Sequence, residues 1–118
     1  MSANPLTQPA VAFVDKNGKA MPLLRSKTGA GKSVSVTTTP NAALQVHSAD
    51  YNVPVRIWAI GCAVNYVMGA SGVGVPSATA DGYIGQDRAV ETYMSPEENY
   101  IRVAAVTGSG TVRIEILN

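Results

Sequence analysis

The segment Ser26-Lys27-Thr28-Gly29-Ala30-Gly31-Lys32-Ser33 comes nearest to a known chemical device in this 118-residue chain. A phosphate-cradling P-loop needs Gly, four residues, then Gly-Lys-Ser/Thr, opening a helix whose N-terminal amides hold the phosphate. Gly31-Lys32-Ser33 fits that pattern, but Ser26 stands where the first glycine belongs, Ser33–Thr39 alternates like a strand, and Pro40 follows. The segment predicts a basic turn leading into a strand, not a nucleotide site. His47 is the sole histidine, with Ser48 and Asp50 close by. Neighbours on an extended chain point to opposite sides, and no strained nucleophile turn accompanies them, so a Ser-His-Asp relay is not expected. A lone histidine does not make a metal site, and Asp81, Asp87, Glu91, Glu97 and Glu98 lack calcium-loop spacing. No catalytic residue, metal or cofactor is expected, and His47 is read as a surface or strand-end residue. The single Cys62 has no partner for an internal disulfide and no adjacent histidine, so it reads as a small buried hydrophobe.

What remains is charge. Residues 1–32 carry Lys16, Lys19, Arg25, Lys27 and Lys32 against the single acid Asp15, a balance of +4, whereas residues 33–118 carry four basic groups against seven acids, a balance of −3. The formal net charge of +1 conceals this opposition. Nucleic acid fits poorly, because the lysines are sparse, no aromatic residue interleaves them for base stacking, and the body is acidic. An acidic protein surface is the better partner, reached by an extended arm whose charges set its orientation. Lys16, Lys19, Arg25, Lys27 and Lys32 are therefore the candidate partner-binding residues. The alternative is that they keep an edge ribbon soluble.

Elements that would position these groups follow from prolines and alternation. Pro5, Pro9, Pro22 and Pro40 interrupt every leader run long enough to become a central strand or a helix, so residues 1–40 read as an extended arm. Within it, Ala10–Val14 and Met21–Leu24 bracket an Asn17-Gly18 turn, the signature of a small hairpin. Residues 41–118 form the body. Val55, Ile57 and Ala59 alternate with Arg56, Trp58 and Ile60; Val64, Tyr66 and Met68 alternate with Asn65 and Val67. Ile101, Val103 and Ala105 alternate with Arg102 and Ala104, and Val112, Ile114 and Ile116 with Arg113 and Glu115. Thr107-Gly108-Ser109-Gly110 between these last runs predicts a terminal hairpin, with Arg102 facing either Glu115 or Arg113. Ser95–Asn99 predicts a turn with a short helical turn starting at Pro96.

Gly69–Gly85 departs from this pattern, with Gly69, Gly72, Gly74, Gly82, Gly85 and Pro76 and no strong strand run. A loop so long in a small domain usually has a task. Gly72, Gly74, Pro76 and Tyr83 are candidate contact residues. The alternative makes Val73–Val75 and Tyr83–Ile84 brief edge strands joined by ordinary turns.

One all-β domain is expected, a β-sandwich or jelly-roll-like body with an extended N-terminal arm or ribbon. A hydrophobic fraction of 46% with 14% charged residues supplies enough apolar surface to fold. No secretory leader or apolar run of about 18 residues is present, which predicts cytoplasmic synthesis and no membrane association.

From Val55 onward the chain runs Val55-Arg56-Ile57-Trp58-Ala59-Ile60, a second strand ending Val67-Met68-Gly69, the Gly/Ala/Ser/Thr/Pro-rich loop, and Tyr93-Met94-Ser95-Pro96. It closes with Tyr100-Ile101-Arg102-Val103-Ala104-Ala105-Val106, a Gly108–Gly110 turn and the strand Thr111–Leu117. In this order it resembles the small all-β structural proteins encoded among the head genes of tailed bacteriophages, several of which are capsid decoration, or cement, proteins. The resemblance implies a non-enzymatic virion structural protein on the capsid surface, binding an acidic face of the major capsid protein and stabilising the assembled shell. It also implies a homo-oligomer around local symmetry axes, a trimer being one such arrangement. It carries no diagnostic motif and transfers no residue role. A receptor- or carbohydrate-binding module on a tail or fibre, using Trp58 or exposed tyrosines, is the alternative.

Overall fold

Alternation with a period of two decides which side chains each strand offers to a core, and the eight-residue strand at the centre of the molecule obeys it throughout. The computed structural model describes residues 13–14, 20–21, 26–79 and 81–118. Its strands, in chain order, are β1 (Phe13–Val14), β2 (Ala20–Met21), β3 (Lys32–Val36), β4 (Leu44–Gln45), β5 (Val53–Ile60), β6 (Val64–Gly69), β7 (Gly82–Ile84), β8 (Arg88–Met94), β9 (Tyr100–Ala105) and β10 (Gly110–Ile116). Along β5, Val53, Val55, Ile57 and Ala59 are buried while Pro54, Arg56 and Trp58 are half-buried on the other face. β10 buries Val112 and Ile114, and β9 buries Ile101, Val103 and Ala105. β1 and β2 pair antiparallel as a two-stranded sheet of their own, Phe13 opposite Met21; the expected Asn17-Gly18 turn lies outside the described residues.

The other eight strands form two four-stranded antiparallel sheets, ordered β3-β10-β5-β8 and β4-β9-β6-β7. Their pairings are nested: β6 with β7, β5 with β8, β4 with β9 and β3 with β10. The chain is thus one long hairpin wrapped on itself, and the β5–β10 and β6–β9 seams complete each sheet. Every connection from β3 to β10 crosses between sheets except the β6–β7 link. A single core lies between the sheets, with Val36, Val55, Ile57, Val112 and Ile114 from one and Val64, Ile84, Ile101 and Val103 from the other. Each such fully buried aliphatic side chain stabilises the fold by about 1.5–3 kcal/mol relative to exposure. This is a β-sandwich, in agreement with the all-β expectation.

The expected terminal hairpin does not form. β9 pairs with β4 and β6, and β10 pairs with β3 and β5, so the two strands lie in opposite sheets. Each carries a stripe of Ile and Val that needs the same core. Facing that core from two sides satisfies both stripes, and the glycine-rich link serves as an arch. Arg102 consequently sits opposite Val67, and Glu115 opposite Arg56.

Tight turns close one end of the sandwich. Asp87 adopts a positive φ of 59°, its backbone N–H donates to Ala59 O at 2.7 Å, and its Oδ1 accepts from Gly61 N at 2.9 Å. Val106 N donates to Ala63 O at 2.9 Å, which draws the β9–β10 arch onto the β5–β6 turn. A Cβ at Gly110 would overlap the carbonyl oxygen of Ile60 and lie 2.8 Å from Cys62 Sγ. The opposite end holds residues 46–52, 70–79 and the 3-10 turn Pro96–Glu98, whose N-cap Ser95 Oγ accepts from Glu98 N at 3.2 Å. That turn falls where the sequence places it.

Gly110 and Gly72 differ sharply in surroundings, since nothing lies within 4 Å of a Cβ built at Gly72. Gly110→Ala should cost about 1–3 kcal/mol by overpacking against a backbone that cannot yield, whereas Gly72→Ala should stay within about 1 kcal/mol of the parent. Denaturant unfolding of both variants measures the contrast.

Candidate functional site

Lys27 and Lys32 are brought together by the way the chain enters the sandwich. Ser26 bridges to Leu117, Lys27 N donates to Ile116 O at 2.6 Å, and the chain then turns at Thr28–Gly29, with Gly29 at φ 78°, before β3 pairs along β10. Lys32–Val36 is a strand, so Gly31-Lys32-Ser33 opens no helix and forms no P-loop. Both lysines are exposed. Lys27 lines a recess of about 550 Å³ whose rim includes His47, Ser48 and Tyr51 and whose floor includes Pro54, Ile116 and Leu117. Lys32 lines an adjoining recess of about 180 Å³ that shares His47 and Ser48. Lys16, Lys19 and Arg25 lie outside the described residues.

His47 lies just beyond the end of β4, one of its two expected places, but it is buried rather than on the surface. Its Nδ1 accepts from Ala49 N at 3.1 Å, so Nε2 carries the proton and donates to Met94 O at 3.0 Å. Its own carbonyl accepts from Asn99 Nδ2 at 2.9 Å, and Val46 N donates to Asn99 O at 2.8 Å. The ring thereby staples the β4–β5 loop to the end of β8 and the turn beyond it. With both ring nitrogens engaged by backbone, neither is available to activate Ser48 or to ligate a metal.

The glycine-rich segment has an internal structure of its own. Residues 73–75 form no strand, whereas Tyr83 and Ile84 belong to β7, so one of the two edge strands considered from sequence exists. Arg102, half-buried on the outer face, donates from Nε to Asn41 O at 2.9 Å and from Nη1 to Val73 O at 3.3 Å, tying two loops together. Asp81 Oδ2 accepts from Ser77 N at 2.6 Å. A Cβ at Gly69 would lie 2.7 Å from the Val73 side chain, and one at Gly82 would overlap the Tyr66 ring. Gly72 and Gly74 are open, Pro76 is partly covered and Tyr83 is exposed. Among the described residues, neither lysine-lined recess includes any of these four.

The sequence left the exposed tyrosines of the alternative reading unlocated, and a second feature escaped it altogether. Tyr51 and Tyr93 are 66% and 63% exposed, and Tyr93 adjoins Pro54, Glu91, Thr92 and Leu117 around a recess of about 360 Å³. Single tyrosines in unrelated runs give no sequence signal. The second feature crosses three strands of one outer face. Arg56 stands in register between Glu91 of β8 and Glu115 of β10, donating from Nε to Glu91 Oε2 at 2.8 Å and from Nη1 to Glu115 Oε1 at 3.2 Å. The Trp58 indole N–H donates to the same Glu115 oxygen at 3.1 Å, and Arg113 Nη2 lies 4.0 Å from Oε2. The cross-strand order fixed the partners; the alternation alone showed only that all faced outward.

The Trp58 indole above all, with Arg56 and Ser26 adding, holds the Glu115 carboxyl below the usual carboxylate range against the opposing effect of burial. Hydrogen bonding to Glu91 raises the Arg56 guanidinium, so it stays charged. Burial, with the charge of Asp87 adding, pushes the Cys62 thiol up, which keeps it protonated and inert near neutrality. Among the described residues no group of three or more His, Cys, Asp or Glu side chains is placed to hold a metal ion, and no helix is long and apolar enough to cross a membrane. No family model, curated protein or solved structure matches the chain.

A carboxylate held below its unfolded value contributes stability that is present above that unfolded value and lost as pH falls through the folded one. Glu115→Gln should therefore lower stability near neutrality by about 1.5–3 kcal/mol, the worth of hydrogen bonds to a charged group, and should flatten the loss on acidification below the ordinary carboxylate range. Urea unfolding of parent and variant across that range tests both effects.

Proposed function

We propose that the protein is a virion structural protein of the capsid-decoration type, which binds the outside of an assembled head shell and reinforces it. The observation that carries this reading is the nested strand order β3-β10-β5-β8 over β4-β9-β6-β7. That nesting supports a jelly-roll form of the sandwich, an architecture used repeatedly by viral capsid and lectin domains. The leader supports the same reading, since a basic arm preceding an acidic body suits attachment to an acidic face of the major capsid protein. Binding the assembled shell in preference to separated subunits stabilises the shell by mass action. In this reading the β-body supplies bulk and self-association as a homo-oligomer, and the arm supplies reach. Neither nucleic acid nor a cofactor has a part.

The arm is tested without touching the sandwich. Reversing Lys16, Lys19 and Arg25 to Glu in the full chain should abolish coating of head shells assembled without this protein, while the far-ultraviolet circular dichroism stays that of a β-protein. Undiminished occupancy by the reversed chain would sink the arm's role.

A second reading, a carbohydrate- or receptor-binding module of a tail or fibre, is favoured by the exposed rings of Tyr51 and Tyr93 on either side of Pro54 and Leu117. Trp58 supports it less, because its indole N–H is engaged by Glu115. Glycan-array binding that disappears in Tyr51→Ala and Tyr93→Ala, together with no affinity for shells, is the outcome expected of this second reading alone.

A further inference from the structure

We infer that the two lysine-lined recesses form one continuous docking site for an extended acidic peptide segment whose apolar side chains alternate with carboxylates. The inference rests on the decoration reading, and it locates where that reading's acidic partner is held. The two recesses share His47 and Ser48, so a bound strand can run from Lys27 past Ser48 to Lys32 without leaving the surface. No aspartate or glutamate lines either recess among the described residues. Lys27 and Lys32 thus bring two ammonium groups to a lining without an acidic side chain, while the exposed Asp50 stands just outside it between the lining Ala49 and Tyr51 and Asn118 closes the larger recess. That lining selects acidic segments and repels basic ones.

The larger recess adds a requirement that charge alone would not. Its volume of about 550 Å³ is floored by Pro54, Ile116 and Leu117, with the Tyr51 ring at the rim. Apolar burial there selects a segment with aliphatic side chains beside its acids, which distinguishes a protein segment from a bare polyanion. The floor is held rigidly. Leu117 N donates to Pro54 O at 2.9 Å and Lys27 N to Ile116 O at 2.6 Å, while the His47 staple fixes the loop that carries Ser48 and Tyr51. A site preformed in this way avoids much of the ordering cost of binding.

Fluorescence anisotropy of the full-length protein with a short fluorescein-labelled peptide of alternating Glu and Leu tests the site. A Lys-Leu peptide, a single-stranded oligonucleotide and anionic vesicles serve as competitors of other chemistry. The Glu-Leu peptide should bind with an affinity that falls as salt rises, and Lys27→Glu and Lys32→Glu should each weaken it roughly tenfold. Tyr51→Ala should weaken it without changing the salt dependence. The neutral variants Lys27→Gln and Lys32→Gln, with melting curves matching the parent, separate lost binding from lost folding. Equal binding of the Lys-Leu peptide, tighter binding of the oligonucleotide or vesicles, or undiminished Glu-Leu affinity in the Lys27→Glu/Lys32→Glu double variant would overturn the inference. Shell coating separates it from the parent reading. If the parent protein coats shells and the double variant coats them equally well, this site is wrong and decoration stands; if the Glu-Leu peptide binds as expected but the parent coats no shell, the site stands and decoration falls.

Discussion

The register of β5 is the constraint on which the rest of the sandwich depends. Its inner face gives Val53, Val55, Ile57 and Ala59 to the core, and its outer face gives Arg56 and Trp58 to Glu91 and Glu115. A slip of one residue would carry Arg56 and Trp58 into an aliphatic core and leave Ile57 in water, so core burial alone forbids it. A slip of two would preserve the faces but move Arg56 away from both carboxylates. The ionic row across β8, β5 and β10 opposes that second error. Apolar burial and cross-strand charge therefore fix one register by independent means. Glu115, the more buried of the two acids, also binds Trp58, so removing it loosens both partners.

Much of this was legible, because alternation reports which face a residue takes. The inward sets on β5, β6, β9 and β10 are those that the sequence indicates. Alternation does not report which strand lies alongside. Thr107-Gly108-Ser109-Gly110 between two apolar stripes suits a hairpin and an inter-sheet arch equally, and only competition for a shared core decides for the arch. The burial of His47 was missed for a related reason. Its burial depends on Met94 O, Asn99 and Ala49, and two of those three partners come from a distant part of the chain.

The candidate site divides along the same line. Lys27 and Lys32 stand out in sequence as charges, but the recess at Lys27 is completed by Ser48, Tyr51, Pro54, Ile116 and Leu117, and the one at Lys32 by Gln45, Val46, His47 and Ser48. Nothing local joins either lysine to those residues. They meet because β10 runs between β3 and β5, which brings the last residues of the chain against the first residues of the sandwich. The glycine-rich segment shows the reverse case. Its composition signals a task, yet Gly69 and Gly82 are required by the close approach of Val73 and Tyr66, so part of that signal is packing.

The distribution of loops bears on how such a body would be used. At one end, the three-residue turns 61–63 and 85–87 and the 106–109 arch are bound to one another through Asp87, Gly61, Ala63 and Val106, a Cβ at Gly110 would have no room, and the longer link 37–43 leaves that end tied to β9 through Thr37 O and Asn41. The other end carries residues 46–52 and 70–79, the capped 3-10 turn and the entry of the chain at Ser26. Rigid scaffolds commonly leave recognition to such longer loops. Both lysine-lined recesses and the exposed Tyr51 and Tyr93 belong to that end. A partner docked there would meet both recesses and both exposed tyrosines together.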